Sequence, residues 1–177
     1  LPLGEDGAAR RVAMQAPKNG FFYVLDAASG DFISGNAFVP QTWTEGLDAN
    51  GRPIEKPEAR YTSTPFLASP GALGAHNWHP MAFNPDLGLA YIPAQEVPII
   101  YAADAMFNER LQPWNLGINM IAEAPLQLDL ATAKAMRAML KGRLIAWDPS
   151  TQTPRWTVEH SNAWNGGVLS TAGGIVF

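Results

Sequence analysis

Met14-Gln-Ala-Pro-Lys18-Asn-Gly20-Phe-Phe-Tyr-Val-Leu-Asp26-Ala-Ala-Ser-Gly30 decides the fold, because it reads as two short strands joined by turns. Arg11 to Gln15 leads into Pro-Lys-Asn-Gly at 17–20, where Asn-Gly supplies the positive φ values of a tight hairpin. Phe21 to Leu25 is aromatic and β-branched, the composition of a buried strand. Asp26 and Gly30 then bracket a further turn. A second copy of this unit lies at Leu144-Ile-Ala-Trp-Asp148-Pro-Ser-Thr-Gln-Thr-Pro-Arg-Trp156: hydrophobic strand, Asp, four-residue turn, return strand. Repetition of one antiparallel unit predicts an all-β chain of β-propeller type.

Length and composition set outer limits on that reading. The 177 residues suffice for one domain with a sizeable core, and 47% hydrophobic with 16% charged residues is a globular composition. Sixteen Gly and fifteen Pro favour a turn-rich chain. A net charge of −4 gives no electrostatic footprint for nucleic acid or an anionic membrane. No apolar run approaches the ~20 residues of a membrane span, and no stretch within residues 1–177 reads as a signal peptide. With no Cys, disulfides, thiolate metal sites and Cys-attached haem are excluded within the chain. Leu1 in place of Met, and an end at Phe177 inside a strand-like run, suggest a piece of a longer protein. Blades take roughly four strands each, so the chain holds material for about two to three of them.

Val39 to Pro65 reads as a long loop or loose hairpin with Asn50-Gly51 at its tip. Met81 to Phe83 and Leu89 to Pro93 read as strands around the turn Asn84-Pro-Asp-Leu-Gly88. Residues 94–143 break the β pattern and are expected to form an insertion packed outside the sheets. Within it Tyr101–Arg110 is expected as a short helix, and Leu126–Lys141 as a longer one with Asp129 as its cap and Gly142 as its stop. The β pattern returns at Arg143.

Three clusters can carry chemistry. Lys18, at a strand end, can place a point charge in a central channel and polarise a carbonyl; its plain alternative is a solvated turn lysine. His76-Asn77-Trp78-His79 offers two His three apart, but that spacing suits a helix face, and Gly74 and Pro80 argue against a helix. Asn77 beside Trp78 instead offers an amide for hydrogen bonding and a flat face for stacking. Trp164-Asn-Gly-Gly167 allows a bulky group close to the backbone, or serves as a tight interstrand turn with a core Trp.

The motifs Ala-Pro-Lys-Asn-Gly-Phe-Phe-Tyr-Val-Leu-Asp (16–26), His-Asn-Trp-His-Pro-Met (76–81), Leu-Ile-Ala-Trp-Asp-Pro (144–149) and Trp-Asn-Gly-Gly-Val-Leu-Ser-Thr-Ala-Gly (164–173) are collinear and nearly span the chain. In them the sequence resembles the pyrroloquinoline quinone (PQQ)-dependent alcohol dehydrogenases, most closely the quinohaemoprotein type. The resemblance implies an eight-bladed propeller whose blades are held together by tryptophan docking motifs, with residues 1–177 as part of its PQQ-binding domain. Trp156 looks like a docking tryptophan, although Phe32-Ile33 stands at the matching place of the first repeat. The resemblance also implies oxidation of primary alcohols to aldehydes by hydride transfer to the quinone. Lys18 would be the catalytic and quinone-contacting lysine, Asn77 and Trp78 an Asn-Trp pair at the cofactor, and Trp164 a cofactor-facing wall. A fixed cation and an amide donor suit charge developing on the quinone oxygens.

By the same resemblance the catalytic Asp, the calcium ligands and a vicinal disulfide precede Leu1, so no metal ligand is expected here. A haem c domain would follow Phe177. The expected surroundings are a periplasmic protein, an alcohol substrate and a cytochrome or other electron acceptor, and the chain alone is expected to be inactive. A sugar-oxidising (glucose-type) quinoprotein and a non-catalytic propeller serving as a binding or assembly module stand as the alternatives.

Overall fold

A computed structural model of the chain describes residues 1–2, 8–108, 116–119, 130–163 and 166–177. The described elements are β1 (Val12–Gln15), β2 (Phe21–Asp26), β3 (Phe32–Ala37), β4 (Thr44–Leu47), β5 (Pro53–Glu55), a 3-10 turn (Pro57–Arg60) and β6 (Phe66–Ala68). They continue with β7 (Ala82–Asn84), β8 (Leu89–Glu96), β9 (Ile99–Tyr101), α1 (Leu130–Met139), β10 (Lys141–Asp148) and β11 (Thr153–His160). Every pairing between these strands is antiparallel.

Two meanders carry the fold. The first is β1-β2-β3, and the second has the order β11-β10-β8-β7, with β9 and α1 interposed in the chain between β8 and β10. Two smaller two-stranded sheets accompany them: the hairpin β4-β5, and β6 paired with β9 across the intervening β7 and β8. The meanders pack through Phe22 and Val24 of β2 against Ala90, Ile92 and Ala94 of β8 and Ile145 and Trp147 of β10, all buried. Phe22 and Trp147 meet with ring centroids 6.1 Å apart. β8 is buried from Ala90 through Glu96, as befits a strand covered on both faces, whereas β11 is exposed along its length as the sheet's edge. Consecutive antiparallel meanders stacked face to face in chain order are the architecture of a partial β-propeller.

The recurring turn that marks the repeat is a real structural unit. Asp26 Oδ1 accepts the N–H groups of Ala28 (2.8 Å) and Ser29 (3.1 Å), and Gly30 N–H returns to the Asp26 carbonyl at 2.9 Å. Asp148 Oδ1 accepts those of Ser150 (2.9 Å) and Thr151 (3.2 Å), and Gln152 N–H returns to its carbonyl at 2.8 Å. The side chain thus supplies a local acceptor that ends the strand and starts its return. In the second copy a left-handed residue, Gln152 at φ 56°, stands where the first has Gly30 at φ 80°. The glutamine side chain does what a glycine cannot, because it bridges the meanders. Its Nε2 donates to Ser34 Oγ (3.0 Å) and its Oε1 receives the Trp147 indole N–H (3.4 Å), while the backbone carbonyl of Gln152 accepts from Asn36 Nδ2 (3.2 Å).

Several expectations change. Of the two forms expected for Val39–Pro65, the hairpin is the one present, as β4-β5 with Asn50-Gly51 at its tip. Residues 101–108 hold the end of β9 and a turn rather than a helix: the Asp104 carboxylate accepts Met106 N–H and its carbonyl accepts Phe107 N–H, a side-chain-capped turn. The longer helix is described as Leu130–Met139, while Lys141 and Gly142 already belong to β10. Gly142 is therefore no helix stop. Its backbone lies under the Asn162 carbonyl, where a side chain does not fit. Asp129 lies outside the described residues. Trp156 sits on the edge strand, 40% exposed, with its ring 5.7 Å from Tyr91. The tryptophan between the two meanders is Trp147.

Candidate functional site

The turn between β1 and β2 presents Lys18. Gly20, at φ 85°, closes the turn onto the Pro17 carbonyl at 3.2 Å. Asn19 Oδ1 accepts Phe21 N–H at 3.2 Å, and Asn19 Nδ2 donates to the Tyr23 hydroxyl at 2.8 Å. Burial pushes the Tyr23 hydroxyl up from its ordinary range, and the Asn19 bond offsets part of this. The backbone beneath Lys18 is thus tightly specified while its side chain is exposed. Its ammonium donates to the Ala72 carbonyl at 3.4 Å, and no carboxylate ion-pairs with it among the described residues. A fixed base whose cationic tip makes one long contact and no ion pair among the described residues is suited to meeting an anionic or polarisable oxygen.

The second part of the site is loop 71–79. Gly74 N–H bonds the Gly71 carbonyl at 2.9 Å, and Ala75 N–H bonds the Lys18 carbonyl at 2.9 Å. Asn77 Nδ2 donates to the Leu73 carbonyl at 3.0 Å. Lys18 and Asn77 are therefore anchored on successive carbonyls, those of Ala72 and Leu73. Gly74 makes this approach possible: at φ 79° it adopts a left-handed conformation, and an added Cβ would lie 2.6 Å from Lys18 Cβ and 2.8 Å from its Cα. The sequence expectation placed Lys18 and Asn77 at one site, and the loop brings them together.

His76 is buried, with Nδ1 2.6 Å from the Ala16 carbonyl and Nε2 2.6 Å from the His79 carbonyl. Both ring nitrogens face backbone oxygens, so neither is turned towards a metal. The residue instead ties the strand leading into the Lys18 turn to the His-Asn-Trp-His loop. Trp78 is 68% exposed and stacks on His79 with centroids 5.1 Å apart. Trp164 lies outside the described residues. The glycine two residues before Val168 and its neighbour do not: Val168 N–H bonds the Pro80 carbonyl at 2.7 Å, and Gly167 lies so close to the Pro80 ring that a Cβ would collide with it. The segment after Trp164 is thereby seated on the end of the His76–Pro80 motif.

An open cavity of about 310 Å³ adjoins Lys18, lined by Trp43, Glu55, Tyr61, Phe66 and Tyr101 among others. Tyr61 and Tyr101, both in its wall, stack on each other with centroids 5.4 Å apart. Four aromatic rings, those of Trp43, Tyr61, Phe66 and Tyr101, contribute to its walls, and its charged groups are Lys18 and Glu55. Two features escape the sequence reading. One is this cavity, whose walls come from segments up to 83 residues apart by number, Lys18 to Tyr101. The other is Gln95, whose amide reaches the loop from β8; a polar side chain inside the run Ala90-Tyr-Ile-Pro-Ala-Gln95 was the available signal.

No family profile matches the chain. It is 46% identical over 180 aligned positions, 97% of its length, to the quinohemoprotein alcohol dehydrogenase of Comamonas testosteroni. It is 44% identical over 185 positions, 100% of its length, to the dehydrogenase subunit of the alcohol dehydrogenase (quinone) of Komagataeibacter europaeus. In each case the match occupies 24% of the relative, so the chain spans about a quarter of the length of the curated relatives it matches. Among solved structures, the quinohemoprotein alcohol dehydrogenase ADHIIG of Pseudomonas putida HK5 superposes with a TM-score of 0.86 at 42% identity, over 100% of this chain and 26% of that one.

Proposed function

We propose that this chain, homologous along its whole length to a quarter of the quinone-type alcohol dehydrogenases, forms one wall of the active site of a PQQ-dependent enzyme that oxidises primary alcohols to aldehydes. The observation that carries the proposal is the joint contact of Lys18 and Asn77 with the Ala72 and Leu73 carbonyls, which brings a cation from the β1–β2 turn and an amide from loop 71–79 to one stretch of backbone. When bound, the quinone supplies an acceptor for hydride from the alcohol carbon, and its ring oxygens gain negative charge.

The residues present fit such a group. Lys18 can turn its ammonium from the long Ala72 contact towards a ring oxygen, stabilising charge where it develops. Asn77 spends one N–H on Leu73, and the second N–H is left to donate to the same edge of the ring. Trp78, exposed beside Asn77, offers an aromatic surface at the edge of the site. The proposal extends to Trp164 as a further wall, because the segment after it rests on Pro80. The cavity beside Lys18 is large enough for a small alcohol, and its aromatic walls favour an apolar chain over a polyol. No proton acceptor for the alcohol hydroxyl is assigned within this chain.

In this reading residues 1–177 belong to one PQQ-binding propeller domain, with the segment at about 94–143 as its insertion. Calcium would be held by residues outside the chain, a haem c or cytochrome would take the electrons onward, and the protein would work in the periplasm. Among the described residues no helix is long and apolar enough to cross a membrane. The test is reconstitution of the complete protein with PQQ and calcium, followed by turnover with ethanol or 1-butanol and an artificial electron acceptor. Saturable PQQ binding with alcohol-dependent dye reduction is expected. Binding without alcohol turnover, or turnover confined to glucose, would overturn the proposal.

A further inference from the structure

We propose that Gln95, on β8, is a positioning residue that fixes loop 71–77 and through it sets the placement of Lys18 and Asn77; the inference rests on the functional reading above. Gln95 is 2% exposed. Its Nε2 donates to the carbonyls of Leu73 (3.2 Å) and Gly74 (3.1 Å), and its backbone N–H donates to that of Ala75 (2.7 Å). One residue therefore holds three successive carbonyls of the loop. Each contact by which the loop engages the two site residues lies within one peptide of this grip. Asn77 donates to the same Leu73 carbonyl, Lys18 donates to the carbonyl before it, and Ala75 N–H donates to the Lys18 carbonyl.

These bonds specify the amide's orientation. Both N–H groups are spent on the loop, while Oε1 is buried with no hydrogen-bond partner. Turning the amide over would set Oε1 against two carbonyl oxygens, so the observed orientation is the only one that satisfies Leu73 and Gly74. A buried acceptor left unpaired is unfavourable, and a side chain serving only to fill space between β8 and the loop would do better as Met or Leu. A glutamine here gains its place through its two donors.

The experiment compares Gln95→Met with the wild type in the complete protein reconstituted with PQQ and calcium. Methionine keeps the length and removes both donors. At saturating PQQ and alcohol, kcat is expected to fall about ten- to a hundred-fold, the range for a displaced catalytic group. KM for the alcohol should change less than about two-fold, since Gln95 does not line the cavity beside Lys18. Amide hydrogen exchange should accelerate at residues 72–77 and not in β10. In an Asn77→Ala background the further loss of kcat should shrink, because part of the effect of Gln95 acts through Asn77. Wild-type kcat in Gln95→Met, or the same fold loss with and without Asn77, would overturn the inference. If Gln95→Met does not fold, Gln95→Asn is read by the same criteria, its amide ending a methylene short of the loop. Failure of the wild type itself to turn over alcohol would refute the functional reading, while the exchange comparison would still decide whether Gln95 holds the loop.

Discussion

Replacing Gly74 by Ala probes the contact that joins the two halves of the site. Gly74 is buried and left-handed at φ 79°, a conformation that costs an alanine about 1–2 kcal/mol. The new methyl would also lie 2.6 Å from Lys18 Cβ and Cγ and 2.8 Å from its Cα. Because one of these atoms is backbone, the strain cannot be relieved by a side-chain rotation alone, and overpacking of this kind adds about 1–3 kcal/mol. Gly30→Ala separates the two contributions. Gly30 has nearly the same φ, 80°, but nothing lies within 4 Å of its would-be Cβ, so it should lose only the conformational part. In the complete protein, urea midpoints should therefore place Gly74→Ala below Gly30→Ala by the equivalent of about 1–3 kcal/mol. Turnover at saturating PQQ should drop only in Gly74→Ala, since only that variant pushes on Lys18. Equal destabilisation of the two, with unchanged turnover in both, would refute the packing of loop 71–77 on Lys18.

Lys18→Ala in the complete enzyme should remove about 2–4 kcal/mol of transition-state stabilisation, read as kcat/KM, while PQQ affinity falls less; unchanged turnover at saturating cofactor would contradict the role given to Lys18. Trp147→Ala should destabilise by about 3–5 kcal/mol, because the ring is buried between the meanders and its removal leaves a cavity against Phe22; a wild-type melting temperature would show that the meanders are held together elsewhere. Asp26 accepts the N–H groups of Ser29 and Ala28 and pairs with Arg10, which together hold its carboxyl down to about 2 from 3.8. With the folded value below the unfolded one, its stabilisation is complete above about pH 4 and is lost as pH falls towards about 2. The melting difference between wild type and Asp26→Ala should accordingly narrow across that window; a difference independent of pH would rule out this linkage.

What was legible in the sequence was whatever local chemistry determines. Asn-Gly at 19–20, the Asp26 and Asp148 turns and the apolar runs beside them each carry their own instruction, and the strands they predict are present as β1, β2, β10 and β11. The turn at 84–88 shows the limit of reading by residue type. Asn84 Oδ1 accepts the N–H groups of Asp86 (3.0 Å) and Leu87 (3.1 Å), and Gly88 follows at φ 65°. It is a third copy of the Asp turn with an amide in place of the carboxylate, a kinship that the change of residue type hides. The short helix expected at 101–110 fails for a comparable reason. Tyr101 finds a partner strand in β6 and a stacking partner in Tyr61, contacts distant in sequence that outweigh a weak helical propensity.

The candidate site divides along the same line. Lys18 and the His-Asn-Trp-His segment could be singled out from the sequence because their residue types suit a quinone site and their motifs resemble those of the PQQ-dependent alcohol dehydrogenases, although Lys18 by itself reads equally as a solvated turn lysine. Their meeting could not be read, since it depends on Gly74 having no side chain and on Gln95 reaching across from β8. Neither residue carries reactive chemistry, and each looks ordinary in its own segment: one glycine among several in a loop, one glutamine near a strand end. The structure gives them meaning by closing an 18-to-74 contact whose tolerance is set by a single missing methyl group. Reactive groups thus announce themselves by type, while the groups that place them are defined by proximity, and proximity is a property of the folded chain. That is why the variants with the greatest power to test the site are Gly74→Ala and Gln95→Met rather than substitutions of the residues expected to touch the cofactor. Losing activity on removing Lys18 is compatible with several arrangements of the site; losing it through a methyl on Gly74, with a stability loss beyond that of Gly30→Ala, points to this one.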